Sequence, residues 1–109
     1  MKITKGNNEY ACVFLQPGYW ETGVLSDFFQ AGASEDRTLP AYFWTDNCDF
    51  DSVANCYVLV LTPLHNKTHN KTQTVEQTVY LPREQVLLLV AQKTAPPPGE
   101  IGKIGFKLP

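Results

Sequence analysis

The sequence predicts an all-β domain of about five or six strands. Short apolar runs are separated by turn-forming residues, as at 11–15, 41–45 and 56–61. The stretch 74–92 holds two strand-type runs separated only by Pro82, Arg83, Glu84 and Gln85. No segment sustains the 3.6-residue apolar period of an amphipathic helix. At 109 residues with 43% hydrophobic side chains, the chain is long enough for one domain with a modest core.

Taken in order, residues 1–9 are polar and predict an irregular arm or a short helical start. Ala11 to Leu15 (ACVFL) is a strand, closed by the turn pair Pro17-Gly18. Residues 19–29 predict a second strand, with Gly23 marking a bend inside it. Residues 30–39 are a polar loop, and Ala41 to Thr45 (AYFWT) pairs back on the second strand as a hairpin. Residues 46–55 are acidic and loop-like, and Cys56 to Leu61 (CYVLVL) is a buried strand stopped by Thr62-Pro63.

Residues 65–72 read HNKT twice in tandem, a polar loop too short to be a structural repeat. Beyond it, Val75, Val79 and Leu81 share one face of a strand, with Thr74, Glu76, Thr78 and Tyr80 on the other. Residues 86–91 are apolar at every position, as in a strand covered on both faces. A small domain that ends this way needs a cover for its last strand from outside the chain. Residues 1–94 therefore form the domain, with an insertion at about 30–50, and 95–109 form a Pro-rich tail that is loose or lies on a sheet edge.

Composition narrows the function. A net charge of −2 gives no general drive toward nucleic acid, so an anionic partner must bind locally. The N-terminus MKITKGNNEY does not read as a signal peptide, and no apolar run approaches the roughly 20 residues needed to span a bilayer. A cytoplasmic protein without membrane contact is expected, with Cys12 and Cys56 reduced and packed as small hydrophobes.

His65 and His69 are four apart but lie in a helix-breaking loop with no carboxylate, a poor metal site. Asn66-Lys67-Thr68 and Asn70-Lys71-Thr72 fit the glycosylation pattern, which is empty without secretion. Asp46, Asp49 and Asp51 lack the central glycine and distal glutamate of a calcium loop. With no nucleophile–base grouping and no phosphate-binding glycine loop, neither an enzyme nor a cofactor is expected. The aromatics Trp20, Tyr42, Trp44, Tyr57 and Tyr80 are mostly core, and an exposed subset would suit base stacking.

Two motifs then resemble the Sm-like proteins (Sm, LSm and Hfq). Val13 to Gly18, Gly23-Val24-Leu25 and Asp51-Ser52-Val53-Ala54-Asn55-Cys56-Tyr57-Val58 are similar to the first Sm motif. Residues 79–88 (VYLPREQVLL) are similar to the second, keeping the arginine as Arg83, with Glu84 where many members have glycine. The departures are the segment 30–50 inside the first motif and the Pro-rich tail. They suit a divergent member, of the kind carried by phage or other mobile elements.

The resemblance implies a strongly bent five-stranded open barrel, Sm-like or SH3-like, with the insertion between strands 2 and 3. It also implies a homo-oligomeric ring of about five to seven subunits, in which the fourth strand of one copy pairs with the fifth of the next. Val79, Leu81, Val86, Leu87, Leu88 and Leu89 would then line the interface. Uridine- or adenine-rich single-stranded RNA would bind near the pore. Asn55 would meet a base edge and Asp51 would orient it; Arg83 would stack or meet phosphate, with Tyr80 a further stacking residue. The alternatives are an oligomeric adaptor of the same fold that binds protein only, and a monomeric SH3-like adaptor with an aromatic peptide groove.

Overall fold

A computed structural model describes residues 2–19, 30–31, 38–61, 77–97, 100–101 and 103–107. These form nine strands: β1 (Lys2–Ile3), β2 (Tyr10–Leu15), β3 (Gln30–Ala31), β4 (Ala41–Thr45), β5 (Cys48–Asp51), β6 (Cys56–Leu61), β7 (Gln77–Pro82), β8 (Val86–Gln92) and β9 (Lys103–Phe106). Short 3-10 turns span Lys5–Asn7 and Arg83–Gln85, and no α-helix occurs among the described residues. The strands make two sheets, in the orders β1-β5-β6-β7 and β3-β9-β4-β2-β8. All pairings are antiparallel except β3 with β9.

Strand β2 lies inside the larger sheet, between β4 and the edge strand β8. Its residues Ala11, Val13 and Leu15 enter the main core with Ala41 and Phe43 of β4, Cys48, Leu59, Leu81, Ile3 and Ile104. Cys12 and Phe14, alternating with them, are buried on the opposite face. Full burial of a Leu, Ile or Phe contributes roughly 1.5–3 kcal/mol, so this apolar set outweighs any single surface contact.

Two corners join the sheets. At the first, β4 passes into β5 through Asp46 and Asn47. Thr45, buried at the bend, accepts from the Asn47 N–H at 3.2 Å and donates to the Asn47 carbonyl at 3.3 Å. Its hydroxyl is thereby satisfied in both senses, as a buried polar group requires. At the second corner, the Arg83–Gln85 turn carries β7 into β8. Gln16 N–H donates to the Gln85 carbonyl at 2.9 Å, tying this corner to the end of β2. The next residues, Pro17 and Gly18, form a tight turn closed by Tyr19 N–H on the Gln16 carbonyl. Gly18 is needed there for its backbone, since its φ is +85°.

Several expectations change. Residues 48–51 form a strand rather than part of an acidic loop. Asp49 and Asp51 alternate with inward Cys48 and Phe50, and the polar face hides the period. β4 is a strand with the bounds read from sequence, and its described partners are β2 and β9. The expected strand at 19–29 lies outside the described residues except for Tyr19, as does the HNKT repeat with both histidines and both glycosylation patterns.

The tail returns to the fold: β9 pairs with β4, and Ile104 is in the core. After the proline run, Glu100 N–H donates to the Pro97 carbonyl at 3.1 Å. Finally, β8 is not covered on both faces by its own chain. Leu87, Leu88 and Val90 are 45%, 41% and 41% exposed. Strands β7 and β8 each end their own sheet, so the described strands do not close into one barrel.

Candidate functional site

The residues singled out by the two motifs converge at one end of the smaller sheet. Asp51 on β5 is registered with Cys56 on β6, and Cys56 with Pro82 on β7. This row sets the Ser52–Asn55 turn beside the Arg83–Gln85 turn. Arg83 N–H donates to the Asn55 carbonyl at 3.2 Å, joining them directly.

Asp51 shapes the first turn. Its Oδ1 accepts from the N–H groups of Val53 at 3.0 Å and Ala54 at 3.1 Å, an Asx-type arrangement. The chain then reaches Asn55 at φ +57°, a left-handed conformation that asparagine tolerates better than most residues. Asp51 therefore acts on Asn55 through the backbone of the turn. Ser52, Val53, Ala54 and Asn55 are all exposed, Val53 at 96%. Arg83 and Glu84 are exposed beside them.

Tyr80 stands two residues before Pro82, paired with Val58, and is 61% exposed. Of the residues assigned to an interface, Leu87 and Leu88 are exposed, and Val79, Val86 and Leu89 are half-buried against the core. Leu81 is 1% exposed, so its side chain serves the chain's own core and not a surface.

Beneath the turns lies a cleft of about 890 Å³, lined by Phe50, Ser52, Tyr57, Arg83, Glu84 and the start of β8. Phe50 and Tyr57 are register partners with ring centroids 5.0 Å apart and planes at 61°, an edge-to-face pair. Neither was marked by the motifs as a site residue, although the alternation of Cys48 and Phe50 with Asp49 and Asp51 would have placed Phe50 on the inner face. Tyr19 packs against the core, its hydroxyl pKa raised by burial first and by Glu84 and Cys56 next.

The carboxylates of Asp49 and Asp51 bond to nearby backbone N–H groups, Asp49 to Phe50 at 2.8 Å. Among the described residues, no group of three or more His, Cys, Asp or Glu side chains is placed to hold a metal ion. The cysteines are free. Cys12 and Cys48 are buried, and burial pushes their thiols up to about 11 and about 12. No α-helix among the described residues is long and apolar enough to cross a membrane. Compared with protein-family models, curated proteins and solved structures, the chain matches none.

Proposed function

We propose that this chain is a divergent Sm-like protein that assembles into a homo-oligomeric ring and binds single-stranded RNA without catalysing a reaction. The observation that carries this reading is the hydrogen bond from Arg83 to the Asn55 carbonyl, which makes one surface of the two motif turns. The strand order adds support. β2, the bent pair β4–β5, β6, β7 and β8 correspond to the five strands of an Sm-like open barrel, with β8 returning to β2. On this correspondence residues 41–51, read from the sequence as part of an insertion between strands 2 and 3, are themselves the bent second strand; Asp51 ends it and the turn to Asn55 follows without interruption.

Assembly is supported by the two edges, of β7 and β8, that no other described strand pairs. Tyr80 and Thr78 are exposed on β7, and Leu88 and Val90 are exposed on β8. Pairing β7 of one copy with β8 of the next would satisfy both backbone edges and cover this apolar surface. With a net charge of −2, RNA affinity would come from local contacts: the Asn55 amide on a base edge, and the Arg83 guanidinium on phosphate or a base face.

The same charge, with Glu84 beside Arg83, favours a second reading, an adaptor ring that binds protein only. Native mass spectrometry with absorbance at two ultraviolet wavelengths separates them. A closed oligomer of about five to seven subunits carrying RNA supports the proposal. An oligomer that neither carries nor binds oligouridine supports the adaptor, and a monomer removes the Sm-like reading.

A further inference from the structure

The last strand, β9, is added to the edge of β4 by a small set of interactions, each fixed by a particular residue. Tyr42 pairs with Gly105 and Ala41 with Phe106, and the Lys107 N–H donates to the Pro40 carbonyl at 3.1 Å. Ile104 enters the main core and is 2% exposed. At Gly105 the Tyr42 ring fills the space that any Cβ would need. Lys107 Nζ lies 4.7 Å from the centroid of the same ring, which also packs on Phe14 of β2 with centroids 5.6 Å apart. The β4 edge therefore selects an extended segment with an apolar residue, then glycine, and a cation two residues on.

The connector that leads to β9 is longer than its return requires. β8, β2, β4 and β9 are successive neighbours, so β9 lies three strand spacings from β8, about 14 Å. Ten residues, 93–102 (KTAPPPGEIG), join the two strands. Three consecutive prolines hold part of this connector extended, and at the polyproline rise ten residues reach about 31 Å. That is close to the breadth of the whole subunit, 36 × 32 × 29 Å. Lys93, Thr94, Ala95 and Pro97 are exposed, so this part of the connector is not fastened into the core.

We propose that β9 is exchanged between copies of this chain, so that residues 103–107 of one subunit close the β4 edge of its neighbour. Ile104 then fills the neighbour's core, Gly105 passes its Tyr42 ring and Lys107 sits over that ring. This rests on the oligomer proposed above but not on RNA, and it uses the side of the larger sheet opposite to β8. Every bond of the closed subunit forms again between subunits, so the exchange costs little. Subunits already joined through other strands hold the acceptor edge at a high local concentration, on the order of millimolar.

The test places a photoreactive p-benzoylphenylalanine at position 107 of the full chain, where the side chain is exposed beside Tyr42. After irradiation the chains are separated by mass in denaturant, and the joined peptides are mapped by mass spectrometry. Peptides joining 107 to residues 41–45 are expected in covalent dimers and larger species. The same join confined to single chains, or no join to β4 in an oligomer, overturns the exchange and leaves the ring standing. A monomeric protein overturns both. The same probe at Ile101, 44% exposed and bridged to Trp44, repeats the measurement from a second position in the tail. Joins between chains from both positions are expected, and joins within one chain from both overturn the exchange.

Discussion

The main-chain N–H of Arg83 is bonded to the carbonyl oxygen of Asn55 at 3.2 Å, so the turn after β5 and the turn after β7 behave as one unit. A change in the backbone of either turn reaches the other through that bond. Substitutions here must therefore separate side-chain chemistry from turn geometry.

Asn55 allows this separation because its φ is +57°. Asn55→Gly keeps the left-handed backbone and removes the amide. It should fold normally while losing oligouridine affinity. Asn55→Ala should additionally lose about 1 kcal/mol of stability, measured by chemical denaturation. Retained affinity in the glycine variant, measured by anisotropy, would take the amide out of the site.

Arg83 is exposed and bonds to Asn55 through its main chain, so Arg83→Ala should leave the fold and the oligomer mass unchanged. Binding to oligouridine should fall about tenfold, with a shallower salt dependence corresponding to about one phosphate contact. An unchanged affinity at every salt concentration would place the RNA elsewhere.

Leu88 lies on β8, the end strand of the described sheet, and is 41% exposed, so Leu88→Asp costs the isolated chain little core packing. Light scattering should show monomers in place of the assembly, with circular dichroism unchanged. A particle of unaltered mass would mean that β8 is not the seam.

Thr45 is 2% exposed and holds the corner through its hydroxyl. Thr45→Val keeps the shape but leaves the Asn47 N–H without that acceptor. A loss of about 1–3 kcal/mol is expected in denaturant titration. A smaller loss would show that the bend is held by packing alone.

The cysteines set an alkaline limit. An ordinary thiol value of 9.0 rises to about 11 for Cys12 and about 12 for Cys48 because burial disfavours the thiolate. The folded chain then keeps protons that the unfolded chain loses, so stability falls as pH rises above about 9. Denaturation midpoints across pH 8 to 11 should decline, and replacing both residues by Ala should flatten the decline. Maleimide at neutral pH should label the half-buried Cys56 before either of the others.

Local pattern carried the strands whose residues are mostly apolar. AYFWT and CYVLVL are β-branched or aromatic runs followed by polar residues or proline, and β4 and β6 have the bounds that these runs set. Pattern failed where the exposed face was charged. CDFD looks like loop because two of its four residues are aspartates, yet a period of two puts both on one side. Pairing was the harder part, because β4 chooses partners from both ends of the chain and nothing near residues 41–45 encodes them. The candidate residues Asp51, Asn55 and Arg83 were legible as motifs, and the structure sets their two turns side by side. The aromatic cleft was not, since it depends on the register of Phe50 with Tyr57 and on a bulge that only the pairing of β8 with β2 creates.

Strand β9 also orders events in time. β4 emerges from the ribosome with β2 already available, but its other neighbour, residues 103–106, arrives some sixty residues later at about 5–20 residues per second. For several seconds the nascent chain carries an open edge at Ala41 and Tyr42, with the place of Ile104 in the core unfilled. Closing the β4 edge and filling the core therefore wait on a strand made long after the one it protects.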